Sequence, residues 1–304
     1  MESVKVACVQ AEPVVLDREA TLDKLARIAD EAAGAGARLV VLPEAFIPAY
    51  PSSAWAKALA GWADPRAKAA FALLARESVA VPGPAADRLG EIARDHQVWL
   101  VTGVTETDPA RPGTLYNTLL YHAPGGQLAL RHRKLVPTNH ERLVWGPGDG
   151  GGLRAIETDF GRLGGLICWE NYMPLARFSL YESGLEVYVA STADDADAWQ
   201  ATLVHIARES RAFVIAPAHF QRASSYPEDF SLRAELEGHD VIGRGGSAIL
   251  APDGAYLAGP LYDQEGILYA DLDPAKLLEE RQRFDPAGHY NRPDVLRLEV
   301  SASD

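Results

Sequence analysis

The sequence predicts an α/β fold, because short β-rich runs alternate along the chain with segments of helical periodicity. The chain has 304 residues, 47% of them hydrophobic, so it can bury a sizeable core. Two β-rich runs, at 115–121 and 128–133, are joined by a Pro-Gly-Gly turn, so strands and helices do not alternate strictly. Two packed sheets flanked by helices would account for this mixture. Composition does not change abruptly, so we expect one domain over residues 1–304, with a short tail from about residue 285.

The individual elements follow from the hydrophobic pattern. Val4–Gln10 predicts the first strand. Apolar residues then recur at helical spacing from Leu22 to Ala32, and this helix is expected to stop at Gly34 and Gly36, which tolerate a left-handed cap. Further strands are predicted at 38–43, 98–105, 115–121, 128–133, 163–168, 187–191 and 212–217, and further helices at 67–78, 85–95, 175–183 and 198–210.

The charge balance argues against nucleic acids and membranes as partners. Acidic residues number 42 against 29 basic ones, which gives a net charge of −13 and a pI near 5.1. Such a negative field repels phosphate backbones and anionic membrane surfaces. The acidic residues are scattered rather than grouped in blocks, and no stretch is apolar enough to span a bilayer.

Cysteine usage and the first residues predict a cytoplasmic protein. The cysteines are Cys8 and Cys168, whereas a secreted disulfide framework normally needs more of them at short spacings. The chain enters its first strand without the long apolar run of a signal peptide. We therefore expect a reducing compartment.

Cys168 is the candidate nucleophile. It ends an apolar run at 163–167, and a short polar stretch leads from it to Pro174, a residue favoured in the first turn of a helix. Such a strand-to-helix elbow would expose the sulfur, aim backbone N–H groups at it and place it near a positive helix end, all of which favour the thiolate. From local context alone, core filling is an equally good interpretation of Cys168, and the better one for Cys8.

Two charged residues end other predicted strands. Glu44 follows the apolar run 39–43, where loss of water would raise its carboxyl pKa into the range of a general base. Lys134 follows the strand at 128–133, where an amine can hold a developing negative charge, although taken singly it also fits a solvated surface lysine. Ligands bind at the carboxyl ends of strands in open α/β sheets, so Cys168, Glu44 and Lys134 together predict an active site.

The Gly-rich segment 137–152 predicts a functional loop rather than a linker. It carries Trp145 and a second acid, Glu141, which could orient Lys134 or a substrate. A plain salt bridge from Glu141 to Arg142 or Lys134 is an equally good interpretation.

Other catalytic classes have less support. The eight histidines lack the spacing of an HExxH motif or of paired ligands, so no metal site is expected. The run 243–246 lacks the lysine and hydroxyl of a phosphate-binding loop, and the sequence has no G-x-S-x-G elbow. A papain-type Cys–His pair stays open, although its local signature is missing.

Four segments together resemble the nitrilase superfamily. The run from Gly164 to Arg177, which contains Cys-Trp-Glu-Asn, resembles the nucleophile motif of the true-nitrilase branch rather than that of the amidases. Segments 42–46, 132–142 and 284–294 agree with it in order, so the resemblance covers nearly the whole chain.

The resemblance implies a four-layer-forming αββα sandwich, commonly doubled by dimerisation, and a homodimer or higher homo-oligomer as the assembly. It implies four catalytic residues: Cys168 as nucleophile, Glu44 as general base, Lys134 for charge stabilisation and Glu141 as supporting acid. The residues expected to line the substrate pocket are Tyr50, His140, Trp145, Trp169 and Tyr172.

The implied activity is hydrolysis of an organic nitrile to the carboxylic acid and ammonia through a cysteine thioimidate and thioester, with neither metal nor cofactor. An amidase or carbamoylase would use the same residues on a carbonyl, and a non-catalytic binding or assembly protein is a further alternative. Two positions depart from the family pattern. Ala49 stands where glycine is usual, which would reshape the pocket wall, and the few residues after Arg297 favour a dimer over a spiral filament.

Overall fold

Two mixed β-sheets packed face to face form the centre of the protein, and helices cover both outer faces. This architecture comes from a computed structural model that describes residues 3–301. The predicted α/β fold with two packed sheets is confirmed. Helix, sheet, sheet and helix form four layers within one chain, so these layers do not depend on a second copy.

The described residues form fourteen strands and seven α-helices. The strands are β1 (Val4–Gln10), β2 (Leu39–Val41), β3 (Val79–Ala80), β4 (Trp99–Asp108), β5 (Arg111–His122), β6 (Leu128–Arg133), β7 (Ile156–Thr158), β8 (Gly161–Gly165), β9 (Val187–Val189), β10 (Phe213–Ala216), β11 (Phe220–Arg222), β12 (Val241–Leu250), β13 (Tyr256–Tyr262) and β14 (Gly266–Leu272). The helices are α1 (Arg18–Gly34), α2 (Ser53–Ala56), α3 (Pro65–Glu77), α4 (Pro84–Asp95), α5 (Pro174–Glu182), α6 (Asp197–Ser210) and α7 (Pro274–Arg283).

The strand order brings several strand ends to one region. The first sheet has the order β14-β1-β2-β4-β5-β6, with β3 paired to β4, and the second has the order β11-β12-β10-β9-β8-β7, with β13 paired to β12. In the first sheet β1, β2 and β4 are parallel, and in the second β8, β9 and β10 are parallel. Parallel strands end at the same edge of their sheet, so the residues that follow them become neighbours.

Side-chain alternation along the strands produces the layers. In β1, Val4, Val6 and Cys8 pack in the core between the two sheets, whereas Ala7 and Val9 pack in the core shared with α1 and α4. Successive strand residues point to opposite faces, so an apolar strand can serve two cores. Helices α5 and α6 cover the outer face of the second sheet in the same way.

Most predicted elements are confirmed with shifted ends, but three points differ. The strand predicted at 163–168 is wrong at its end, because β8 stops at Gly165 and Cys168 begins a 3₁₀ turn. The first helix ends at Gly34, and of the two glycines only Gly36 is left-handed, with φ of 88°. The sequence did not predict the strands β3, β7, β11, β12, β13 and β14 or the helices α2 and α7. Strand β12 contains three glycines, which have low strand propensity.

Gly103 in β4 allows the chain that follows β2 to pass close by. A Cβ atom at this position would lie 2.1 Å from the carbonyl oxygen of Pro43 and 2.7 Å from Cα of Glu44. A side chain at position 103 would therefore displace the backbone that carries Glu44.

Among residues 3–301, no helix is both long and apolar enough to cross a membrane. Residues 285–301, in the region predicted as a tail, contain no helix or strand.

Candidate active site

Three of the predicted catalytic residues form one buried ion cluster. Lys134 Nζ donates to Glu44 Oε1 at 2.9 Å and to Glu141 Oε2 at 2.7 Å. The side chains of Lys134 and Glu44 are inaccessible to solvent, and Glu141 is nearly so. Two carboxylates on one ammonium leave a net negative charge, so the cluster can accept a proton.

The Glu44 carboxylate has three hydrogen-bond donors. Besides Lys134, Asn117 Nδ2 donates to Oε1 at 2.6 Å, and the backbone N–H of Ala193 donates to Oε2 at 2.9 Å. Burial raises the pKa of the Glu44 carboxyl to about 7, although the positive charge of Lys134 opposes the shift. A carboxyl with this pKa exchanges protons near neutral pH, as a general base must.

Lys134 is held as an ammonium ion. Burial by itself would lower its pKa, but the negative charges of Glu44 and Glu141 raise it well above the usual range for lysine. The backbone N–H of Lys134 donates to the carbonyl oxygen of Asn117 at 2.8 Å, which fixes the residue at the end of β6. Lys134 is therefore a fixed positive charge rather than a solvated surface amine.

Cys168 lies in a strained turn beside this cluster. Its φ is 52°, in the left-handed region that non-glycine residues rarely adopt. Its backbone N–H donates to the carbonyl oxygen of Ser191 at 2.8 Å, and Thr192 Oγ1 lies 3.1 Å from Sγ. The charges of Glu44 and Lys134 both act on the thiol. Strain of this kind is typical of positions where function fixes the backbone.

The Cys168 thiol is neutral in the free protein. Burial raises its pKa to about 12, with a further contribution from the negative charge of Glu44, and Lys134 only partly offsets the shift. The expectation that the elbow favours the thiolate is therefore wrong. The α-helix begins only at Pro174, after an intervening 3₁₀ turn, and Cys168 is 4% exposed. This sulfur can act as a nucleophile only if a base takes up the thiol proton.

The turn after Cys168 leaves one backbone donor free. In the described part of the chain, the N–H of Trp169 has no acceptor. Asn171 Nδ2 donates to the carbonyl oxygens of Leu166 and Cys168, at 3.2 and 2.9 Å, and so holds the turn in place. A free N–H next to a nucleophile can stabilise an anion that forms there.

Glu141 links the long loop to the cluster. It accepts hydrogen bonds from the backbone N–H of Thr138 at 2.7 Å and from the Tyr50 hydroxyl at 2.8 Å. It pairs with Lys134, whereas the Nε of Arg142 donates to the carbonyl oxygen of Pro137 instead. Of the interpretations left open for Glu141, the pair with Lys134 is the one present, and this pair also orients the lysine.

A small cavity of about 190 Å³ lies next to residues that are hydrogen-bonded to the cluster, although Glu44, Lys134, Glu141 and Cys168 are not among the residues that line it. Tyr50 and His140 line it, together with Ala193, whose N–H is bonded to Glu44. Trp145 is buried behind Tyr50, with ring centroids 5.9 Å apart. Of the predicted pocket residues, Tyr50 and His140 thus reach the cavity, and Trp145 supports its wall.

Trp169 and Tyr172 lie outside this cavity. Trp169 is 51% exposed and donates from Nε1 to Asp194 at 2.7 Å, and Tyr172 is bonded to Thr202 at 3.0 Å. Their rings are in edge contact with each other, at 5.7 Å. A role of these two side chains in binding substrate stays a prediction.

Several residues that complete the site were not predicted from the sequence. Thr192 and His219 follow β9 and β10, so the same strand-end signal that indicated Glu44 and Lys134 could have found them. Asn117 is a polar side chain inside a buried strand, which is a second usable signal. His219 Nε2 is 2.7 Å from the carbonyl oxygen of Glu44.

Glu170, in the motif after the cysteine, ties the two halves of the site together. Its carboxylate accepts hydrogen bonds from the backbone N–H groups of Leu135 and Ile167, at 2.8 and 2.9 Å, and pairs with His132 at 2.8 Å. Burial alone would raise its pKa, but His132 and these N–H groups lower it below the usual range. Glu170 thus joins the residue after Lys134 to the residue before Cys168.

Residues 3–301 contain no group of three or more histidine, cysteine, aspartate or glutamate side chains placed to hold a metal ion.

Comparison with known proteins agrees with this arrangement. A family model described as "Carbon-nitrogen hydrolase" matches residues 5–282. An aliphatic nitrilase of Sinorhizobium fredii (strain HH103) is 44% identical over 300 residues, which are 99% of this chain and 96% of the relative. A bifunctional nitrilase/nitrile hydratase, NIT4B, of Nicotiana tabacum is 42% identical over 302 residues, covering 98% of this chain and 86% of the relative.

The fold also matches solved structures. Nit3 of Saccharomyces cerevisiae, a member of branch 10 of the nitrilase superfamily, superposes with a TM-score of 0.73 at 22% identity, covering 96% of this chain and 97% of the other. A carbon-nitrogen hydrolase from Helicobacter pylori G27 gives a TM-score of 0.74 at 20% identity, covering 98% and 99%. At these identities the likeness concerns the fold.

Proposed function

The chain belongs to the carbon-nitrogen hydrolase family, and we propose that it acts as a nitrilase, hydrolysing an organic nitrile to the carboxylic acid and ammonia. The observation that carries this assignment is the 44% identity to an aliphatic nitrilase over 99% of the chain. The buried cluster of Glu44, Lys134 and Glu141 beside Cys168 supplies groups that fit this chemistry.

The first step uses Glu44 and Cys168. Glu44, with a pKa of about 7, accepts the proton of the neutral Cys168 thiol as the sulfur attacks the nitrile carbon. The carbon–sulfur bond forms, and one bond of the nitrile breaks. The proton then passes from Glu44 to the nitrile nitrogen, which gives a thioimidate.

Lys134 and the free N–H of Trp169 are the proposed stabilisers of the negative charge that develops during attack. Both are fixed before the reaction, so they need little reorganisation when the charge appears. Glu141 acts through Lys134, which it orients at 2.7 Å, and is a positioning residue in this scheme.

Water completes the reaction in two additions. The first water adds to the thioimidate and gives a tetrahedral intermediate; cleavage of its C–N bond releases ammonia and leaves a thioester. Glu44 then activates a second water, which releases the carboxylic acid and returns the thiol. Two waters are consumed for each nitrile, and every proton is transferred by a side chain or by water.

Some amide product is part of the proposal. The tetrahedral intermediate breaks its C–N bond to continue toward the acid, or its C–S bond to release the amide. The name of the tobacco relative, bifunctional nitrilase/nitrile hydratase, includes both activities, and a nitrile hydratase releases the amide.

A substrate panel tests the assignment. Aliphatic, aromatic and arylacetic nitriles are incubated beside their matched amides, and acid, amide and ammonia are measured. We expect ammonia and acid from nitriles, with a minor share of amide. Hydrolysis of the amides alone would instead identify an amidase or carbamoylase, and turnover of neither, with no preferential labelling of Cys168 over Cys8 by a thiol reagent, would identify a non-catalytic member.

Self-association and a reducing, cytoplasmic location are further parts of the proposal. Leu175 on α5 is 68% exposed, and Tyr290 and Leu296 in the tail region are also exposed. These three residues line one apolar groove of about 610 Å³. Exposed apolar surface of this kind is typical of an interface, so we expect a homodimer by light scattering and weaker association of Leu175→Glu.

Both cysteines are free thiols, as a reducing compartment would keep them.

A further inference from the structure

The sulfur of Cys168 has one hydrogen-bond partner within residues 3–301, and the proposed reaction steps do not use it. This partner is Thr192, whose Oγ1 lies 3.1 Å from Sγ. Thr192 is fully buried, and Cys168 is only 4% exposed. Solvent has little access to this pair, so the threonine hydroxyl is the main hydrogen-bonding group beside the sulfur.

The other hydrogen bond of the Thr192 hydroxyl determines the direction in which it donates. Oγ1 accepts the backbone N–H of Asp194 at 2.9 Å. Among the described residues, Sγ of Cys168 is the only acceptor that the hydroxyl has. A threonine hydroxyl carries one proton, so this proton is directed at the sulfur. Such a bond becomes stronger when the acceptor gains negative charge, because charge-assisted hydrogen bonds are roughly twice as strong as neutral ones.

The backbone of Thr192 is held on both sides, so its hydroxyl is in place before any reaction. The N–H of Thr192 donates to the carbonyl oxygen of Pro217 at 3.0 Å, and its carbonyl oxygen accepts the N–H of His219 at 3.1 Å. The carbonyl oxygen of the preceding residue, Ser191, accepts the backbone N–H of Cys168 at 2.8 Å. The segment after β9 therefore holds the nucleophile by its backbone and contacts its sulfur through Thr192.

We infer that Thr192 is a further catalytic residue, which donates a hydrogen bond to the Cys168 sulfur each time that sulfur gains negative charge. This inference rests on the proposed function and deepens its mechanism. Charge develops on the sulfur first during attack, when the thiol proton passes to Glu44 and the C–S bond forms. It develops again when the C–S bond breaks, because the electron pair returns to the sulfur before Glu44 gives the proton back. Thr192 keeps its own proton in both steps and binds the charged transition states more strongly than the neutral ground states.

The departure of the sulfur also decides which product forms. The tetrahedral intermediate releases ammonia when its C–N bond breaks, and it releases the amide when its C–S bond breaks. Thr192 contacts the sulfur and so stabilises the leaving group of the second route alone. Loss of the hydroxyl should therefore lower the amide share of the product as well as the rate, an effect that a loss of packing would not produce.

Thr192→Val is the main test, because valine has nearly the shape of threonine but cannot donate. We expect kcat/KM for a nitrile to fall by about 10- to 100-fold, as for the loss of a hydrogen bond to a charged group, and the amide share to fall as well. Thr192→Ser keeps the hydroxyl and should stay within about threefold of the wild type. Thr192→Ala also lacks the hydroxyl, should match the valine variant, and replaces it in every measurement if that protein does not fold.

Thr21→Val is the matched control. Thr21 is a buried residue in the first turn of α1, and its hydroxyl accepts the backbone N–H of Val14 at 3.1 Å and donates to the carbonyl oxygen of Asp17 at 2.7 Å. The control therefore loses a buried hydroxyl with a bonded backbone N–H, as Thr192→Val does, but it leaves the surroundings of Cys168 intact. It should keep the wild-type rate and amide share.

The pH profile separates a direct contact with the sulfur from an indirect effect through Glu44. Thr192 Oγ1 holds the N–H of Asp194, and the N–H of the residue between them, Ala193, donates to Glu44 at 2.9 Å. Movement of this segment would change the pKa of Glu44 and so the midpoint of the kcat/KM profile. We expect Thr192→Val to lower the plateau and to keep the midpoint near pH 7. A shifted midpoint would overturn the inference.

Alkylation by iodoacetamide needs no nitrile, so it separates this inference from the proposed function. The rate at Cys168, followed by mass spectrometry, should fall by about tenfold or more in Thr192→Val, with Cys8 in the same protein as the internal reference. Slower alkylation together with a wild-type protein that hydrolyses no nitrile would overturn the proposed reaction and still support the contact of Thr192 with a reactive sulfur. An unchanged alkylation rate or amide share in folded Thr192→Val, or an equal loss in Thr192→Ser, would overturn the role of Thr192.

Discussion

The two cysteines of this protein occupy similar surroundings and differ in what lies next to the sulfur. Cys8 and Cys168 both belong to the core between the two sheets, and both are buried. Burial raises the pKa of both thiols above the usual range. The sulfur of Cys8 lies 3.8 Å from the carbonyl oxygen of Ala248, whereas the charges of Glu44 and Lys134 shift the pKa of the Cys168 thiol.

Burial therefore does not by itself distinguish a structural cysteine from a nucleophile. Neither thiol is ionised in the free protein near neutral pH, so a lowered thiol pKa is not the distinguishing feature either. The difference is a base: Glu44, with a pKa of about 7, acts on Cys168 and is not among the groups that shift the pKa of Cys8. In the proposed mechanism, activation consists of moving a proton as the sulfur attacks, rather than of storing a thiolate.

Replacing each cysteine by alanine gives the largest expected difference. Cys168→Ala should lower kcat/KM for a nitrile by at least about 10⁴-fold, because no other group can form the covalent intermediate. Cys8→Ala should retain activity within about threefold, since its side chain contacts only core groups. Steady-state ammonia release from both purified variants measures the contrast.

Circular dichroism of both variants serves as the control for folding. Retained nitrile hydrolysis by a folded Cys168→Ala protein would contradict the role of this residue, and loss of activity in a folded Cys8→Ala protein would contradict the contrast between the two cysteines.

Removing the proposed base should make the Cys168 thiol less reactive and so more like that of Cys8. Glu44→Gln keeps the size of the side chain but cannot accept the thiol proton, so kcat/KM should fall by about 10²- to 10⁴-fold. The exposed Glu31→Gln is the matched control and should leave activity unchanged. Alkylation of Cys168 by iodoacetamide should also slow in Glu44→Gln. A variant with near wild-type turnover would remove Glu44 from the mechanism.

Local sequence predicted the elements that carry this site well. Hydrophobic runs, and the residues that interrupt them, act over a few residues. They therefore predicted the strand ends at Glu44 and Lys134 and the turn after Cys168. Pairing between distant segments could not be read in this way. Asn117 reaches Glu44, and His219 and Gln221 form the cavity wall, only after strands far apart in the chain have assembled.

The thiol pKa illustrates the same limit. The elbow suggested a thiolate, because a helix end and free N–H groups are local features. The direction was wrong because burial between two sheets, which depends on the whole fold, outweighs them. Likewise β12 was missed because its glycines lower strand propensity, while pairing with β10 and β13 stabilises it.

The pH dependence of kcat/KM should follow the ionisation of the Glu44 carboxyl rather than that of the Cys168 thiol. Glu44 must be unprotonated to accept a proton, so with a pKa of about 7 in the free enzyme kcat/KM should fall about tenfold per pH unit below pH 7. Because Glu44 interacts with Lys134 and Glu141, the measured value belongs to the cluster. Cys8→Ala should have the same profile. Activity that stays constant down to pH 5 would contradict the assignment of the base.

Glycine substitutions at the two cysteines give the smallest expected effect, and they measure the cost of the backbone strain at Cys168. Both variants remove a buried thiol, but Cys8 lies in the middle of β1, where glycine is unfavourable, and Cys168 has a φ of 52°, which glycine adopts freely. Cys8→Gly should therefore lose about 1–2 kcal/mol more free energy of unfolding than Cys168→Gly, from urea titrations. Equal losses would mean that the left-handed turn is not strained, and a larger loss at Cys168 would mean that the Thr192 contact stabilises the fold more than the strain destabilises it.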